Sequence, residues 1–145
     1  MKTALVVALA SLALAGAAGA AKTPLPGIRS PSGNIRCLFV PGKPAVLRCD
    51  IGRADYAKTL QERCITRATV DWHGFELPAA GKGAITCTGG ILYSPDTQRP
   101  AYKTLPYGRT WRHGVFTCDS RVTGVTCRNR AGHGLFVSRE IWRAW

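Results

Sequence analysis

The stretch "GNIRCLFVPGKPAVLRCDI", Gly33 to Ile51, sets a cysteine on each side of a Pro/Gly turn, with apolar residues two positions away from each. If Cys37 stands opposite Cys49 in an antiparallel pair, Phe39 meets Leu47 and Ile35 meets Ile51 on the cysteine face, because side chains alternate with period two. The same register sets Arg36 against Asp50 on the reverse face, around the turn Pro41 to Ala45. A slip of one residue would destroy both patterns. The stretch therefore predicts a register as well as a hairpin.

The same grammar recurs along the chain as "GNIRC", "GAITC", "GVFTC" and "GVTC", each a glycine turn feeding a strand that ends in cysteine. In the last hairpin Cys118 and Cys127 flank "DSRVTGVT", with Phe116 and Val125 on the cysteine faces. Elimination then joins Cys64 to Cys87. An even set of cysteines with no C-x-x-C pair reads as a disulfide framework in an oxidising compartment. Each link stabilises by about 3 kcal/mol in the chain-entropy model. The expected fold is mainly β, a small antiparallel sandwich or open barrel of short hairpins stapled by Cys37–Cys49, Cys64–Cys87 and Cys118–Cys127. Helix is expected only near residues 54–63, where Tyr56 and Leu60 have helical spacing, and as a turn at the C-terminus, where Ile141, Trp142 and Trp145 dock on the sheet. Gly89 to Gly114 reads as mostly loop, with short strands near Ile91–Tyr93 and Thr110–Arg112.

Lys2, the uncharged run "ALVVALASLALAG" and Ala18-Gly19-Ala20 have the form of a secretory signal peptide over residues 1–20, cleaved near Ala20. The run is short for a bilayer span. A secreted or periplasmic protein follows, with an extended surface leader over the proline-rich residues 21–31 and a single domain over 32–145. Loss of Lys2 leaves 19 Lys and Arg against 8 Asp and Glu, a mature charge of +11, and 14 of the cations are arginine. Such a charge favours encounter with polyanions.

The motifs "SPSGNIRC" (Ser30 to Cys37), "RCDI" (Arg48 to Ile51), "DW" (Asp71-Trp72), "LPYG" with Trp111, "GVTCRN" (Gly124 to Asn129) and "GHGLFVSR" (Gly132 to Arg139) together resemble a family of small exported bacterial proteins, a domain of unknown function. The resemblance implies a disulfide-stapled, mainly β domain made for export. It supplies no catalytic residues.

Each histidine precedes a glycine, "HGFE" at His73, "HGVF" at His113 and "HGLF" at His133, which reads as turn punctuation before a strand. None has a helical i, i+3 or i+4 partner, and oxidised cysteines offer no thiolate, so no metal or cofactor is expected. A metal-free nuclease would need a base, an acid and phosphate-binding cations, for which His73 with Glu76 or Asp71, and His133, are the candidates. No G-x-S-x-G elbow or phosphate loop is present, and no catalytic residue is assigned. The best candidate surface interleaves aromatic and cationic groups along the long loop: Tyr102, Lys103, Tyr107, Arg109, Trp111, Arg112 and His113, with Tyr93 and Arg99 nearby. Aromatics stack on sugars or bases while arginines grip phosphate, sulfate or carboxylate. The competing reading buries Tyr107 and Trp111 as core, and Trp72 beside the disulfides. The leading function is a binding domain without catalysis that contacts an acidic polysaccharide or nucleic acid. The alternatives are a nuclease-like hydrolase and an enzyme inhibitor presenting "SPDTQRPAY", Ser94 to Tyr102.

Overall fold

The computed structural model describes residues 20–88 and 93–145. The signal-peptide reading, apart from Ala20, and the strand expected at Ile91–Tyr93, apart from Tyr93, lie outside the described residues. In chain order the elements are β1 Thr23–Arg29, β2 Ile35–Val40, β3 Val46–Ile51, α1 Ala57–Ala68, β4 Trp72–Pro78, β5 Ala84–Cys87, β6 Gln98–Thr104, β7 Thr110–His113, β8 Phe116–Arg121, β9 Gly124–Asn129, β10 Gly134–Val137 and β11 Trp142–Ala144. They form two sheets, ordered β5-β4-β3-β2-β1-β6 and β11-β10-β9-β8-β7. We call these sheet A and sheet B.

The first hairpin has the expected register: Cys37 opposite Cys49, Ile35 opposite Ile51, Phe39 opposite Leu47 and Arg36 opposite Asp50. Cys118 likewise faces Cys127 between β8 and β9. All three disulfides, Cys37–Cys49, Cys64–Cys87 and Cys118–Cys127, are formed. One cross-strand disulfide from each sheet meets the other in the interior, where the sulfurs of Cys37, Cys49 and Cys127 lie within 4.8 Å of one another. Those atoms are bonded sulfurs, so their closeness is packing. Around them Ile28, Leu47, Phe75 and Leu77 of sheet A pack with Phe116, Val125, Leu135 and Val137 of sheet B in one core. This interlocking of two inner faces is the sandwich arrangement. Leu60 and Cys64, one helical turn apart on α1, close one end of it, and Trp72 packs edge-on against Tyr56 and Phe75.

Three local expectations are corrected and one is extended. The supposed surface leader is β1, held between β2 and β6 with Leu25 and Ile28 buried. The short helix expected near 54–63 is present as α1, which extends to Ala68 and ends where Thr69 turns left-handed at φ 57°. The long loop contains β6, which pairs in parallel with β1 over its whole length, an exception to the antiparallel scheme. The C-terminal residues form β11, not a helical turn: Trp145 exchanges both backbone hydrogen bonds with Gly134 and lays its ring where a side chain on that glycine would stand.

Candidate anion-binding face

Strand alternation decides which of the long-loop residues can meet a ligand. Tyr102 and Lys103 lie on β6 at the free edge of sheet A, and Tyr107 and Arg109 lie in the turn that leads to β7 at the free edge of sheet B. The Tyr102 ring covers Gly27 on the neighbouring strand. Burial, then the nearby Asp50 carboxylate, push its phenol up to about 12. On β7, Trp111 packs on the core, and His113 sits 4.4 Å from the Phe39 ring and 5.7 Å from Trp111, centre to centre. Tyr107, expected either as platform or as core, is exposed, whereas Trp111 is partly buried as the core reading requires. The candidate set is thus spread over two sheet edges, and only Arg112 points outward from sheet B beside further arginines.

That outer face is built by the same alternation that buries the cysteines. On β8, Phe116, Cys118 and Ser120 point inward, so Thr117, Asp119 and Arg121 point out. On β9, Val125, Cys127 and Asn129 point inward, so Thr126 and Arg128 point out. The pairing aligns Arg112, Thr117 and Arg128 across three strands, ending at Gly134 under the Trp145 ring. A second row runs Thr110, Asp119, Thr126, Phe136 and Arg143. Arg128 is held by Asp119 at 3.3 Å and stands 5.9 Å from the centre of the Trp145 ring, a cation–π distance. Thr110 donates to the other Asp119 oxygen at 2.6 Å. Among the described residues the Arg112, Arg121 and Arg143 guanidinium groups have no ion pair or hydrogen bond. One carboxylate therefore faces four arginines, and its own bonds are spent orienting Arg128 and Thr110.

The residues missed by reading the loop alone, Arg121, Arg128, Phe136, Arg143 and Trp145, carry a sequence signal. They fall on the reverse phase of the cysteine-bearing strands or on their neighbours.

The other motif residues gather at one end of the sandwich, around a concavity of about 700 Å³ lined by Ser32, Asn34, Arg53, Tyr107, Val122 and Arg139. Several polar groups at this end form turns, and Arg139 pairs with Asp55. The Asn34 side chain exchanges two hydrogen bonds with the Arg53 backbone, and Ser30 Oγ accepts from Ile35 N–H. Ser138 Oγ accepts from the N–H groups of Glu140 and Ile141. The two histidines of the nuclease reading lie on different sheets: His73 is on β4 of sheet A and His133 in the β9–β10 turn of sheet B, while Glu76, on the same strand as His73, pairs with Arg48, and Asp71 accepts from Gln61. The third histidine, His113, is on β7. Among the described residues no hydrogen bond or ring contact joins any two histidines. Of the stretch Ser94 to Tyr102, the last five residues belong to β6 and are not displayed as a loop.

The three disulfides point to an oxidising, extracellular or periplasmic setting. Among the described residues no helix is long and apolar enough to cross a membrane. The chain belongs to a family of unknown function, DUF6636, whose model matches residues 4–143. No curated protein and no solved structure matches it.

Proposed function

We propose that this family member is an exported, non-catalytic binding domain whose sheet B outer face holds a linear acidic polysaccharide. The observation that carries the reading is the trio Arg112, Arg121 and Arg143, without ion pair or hydrogen bond among the described residues, arrayed with Arg128 across a single sheet face. Guanidinium groups free of internal partners keep their full capacity for bidentate bonds to sulfate or carboxylate. The threonine hydroxyls between them offer further hydrogen bonds, and Phe136 and Trp145 give apolar surface for a sugar ring. Oxidised cysteines favour a polymer of the cell exterior over nucleic acid, and the aromatics sit at one side of the face rather than in a succession suited to stacked bases.

On immobilised heparin the protein is retained with a steep dependence on salt. The double variant Arg112→Ala/Arg143→Ala elutes at lower salt with a log–log slope reduced by about two, while Lys103→Ala, on the other sheet, leaves that slope unchanged. Equal retention of the double variant and the parent would remove the face from the account. Tighter retention on single-stranded DNA than on heparin at equal salt would reassign the ligand to nucleic acid. Export with cleavage near Ala20 predicts a mature N-terminus at Ala21, read directly by sequencing the exported protein.

A further inference from the structure

The opposite sheet carries a separate recess of about 430 Å³, set against β3, β4, β5 and the end of α1 and lined by Arg48, Arg67, Glu76, Thr86 and their neighbours on β5. Arg48 lies across from Glu76 on the outer face of sheet A and donates to its carboxylate through Nη1. Its side chain is only 13% exposed. Among the described residues two buried polar atoms at this place have no hydrogen-bond partner: Arg48 Nε and Thr86 Oγ1. An arginine Nε–H can only donate, and a threonine hydroxyl can rotate to donate. Buried donors left without an acceptor are unfavourable, and such atoms call for an explanation. Arg67, in the last turn of α1, adds a second guanidinium, and among the described residues it has no ion pair. Two arginines against Glu76, whose charge Arg48 already offsets, leave the recess net positive.

We propose that this recess binds one oxyanion headgroup, a phosphate or sulfate monoester, with Arg48 Nε–H and Thr86 Oγ1–H donating to its oxygens and Arg67 balancing its charge. The volume exceeds what a bare ion needs and leaves space for part of the esterified alcohol. Glu76 fixes the guanidinium of Arg48 through one nitrogen, which leaves the Nε edge for the ligand. The site is independent of the sheet B face.

Its test is an NMR titration of the full chain with inorganic phosphate, inorganic sulfate and glucose 6-phosphate, with glucose as the neutral control. The expected result is a saturable shift of the Arg48 Nε–H signal and the Thr86 amide with at least one of the anions and none with glucose. The relative strength of the phosphate and sulfate arms identifies the ester. Thr86→Val keeps the shape while removing the orphaned hydroxyl, and Arg67→Gln alters only a helix surface. Each is expected to weaken binding by about tenfold, the size of a lost hydrogen bond to a charged group, and Arg112→Ala/Arg143→Ala is expected to change nothing. Absence of saturation with all three anions, unchanged affinity in both recess variants, or shifts confined to the sheet B face would overturn the proposal.

Discussion

At Gly74 a β-carbon would run into the Cys49 carbonyl oxygen, and the backbone sits at φ +83°. Gly33 has nearly the same angle, φ +73°, with open space around it. Gly33→Ala is therefore expected to cost about 1 kcal/mol, the left-handed penalty alone, and Gly74→Ala about 2–5 kcal/mol, with overpacking added. Urea unfolding of the two variants measures the difference, and equal costs would contradict the packing described for β3 and β4. Tyr102 makes a pH-dependent contribution. Its phenol is raised from 10.0 to about 12 by burial and by Asp50, so the folded state holds the proton more tightly than the unfolded chain. The associated stability is complete below pH 10 and is lost as pH rises toward 12. Tyr102→Phe should flatten that decline and delete one late transition from the alkaline tyrosinate absorbance titration. At this scale the sequence was legible where two residues constrain each other, as Arg36 and Asp50 do across the first hairpin. It was not legible at Tyr102, whose role depends on Gly27, a residue brought beside it by a pairing 75 positions long.

β1 shows how an element can hide from its own composition. Pro24 and Pro26 argue against a packed strand, yet Thr23 N–H bonds to Thr97 O beside β6, so by alternation the two proline nitrogens face the other side. Pairing with β2 begins only at Gly27, past both prolines, and no ladder bond is lost. Deleting residues 21–31 removes the hydrogen-bonded partner of β6 and uncovers the sheet beside β2. The truncated protein is expected to lose cooperative thermal unfolding, and a stable truncated fold would restore the surface-leader reading. The hairpins were readable because register, turn and disulfide all lie within a dozen or so residues. β6 and β11 were not, since a parallel partner from the far end of the chain, and a glycine that accommodates the Trp145 ring, appear only once the sheets assemble. Helix α1 was legible from its Tyr56–Leu60 spacing, while its far end, set by the left-handed Thr69, was not.

The whole molecule combines a tightly tied interior with a surplus of positive charge. Cys37–Cys49 and Cys118–Cys127 bridge opposite strands within each sheet and abut across the core, so replacing Cys118 and Cys127 together by alanine is expected to lower unfolding free energy by about 2–5 kcal/mol. The loss would appear as a lower urea midpoint. Among the described residues five acidic side chains, Asp50, Asp55, Glu62, Glu76 and Asp119, are engaged by neighbouring cations, and the full chain carries +12 beyond all of its carboxylates. Composition disclosed that surplus, but the grouping of four arginines on the outer face of sheet B needed the sheet order. The face is tested most directly by following backbone amide signals while a heparin-derived octasaccharide is added at near-physiological salt. Saturable shifts are expected to be largest at Thr117, Thr126, Arg128 and Arg143, with β6 and the Tyr107 turn little changed. Largest shifts at Tyr102 and Lys103 or around Tyr107, or no saturable shift anywhere, would contradict binding at this face.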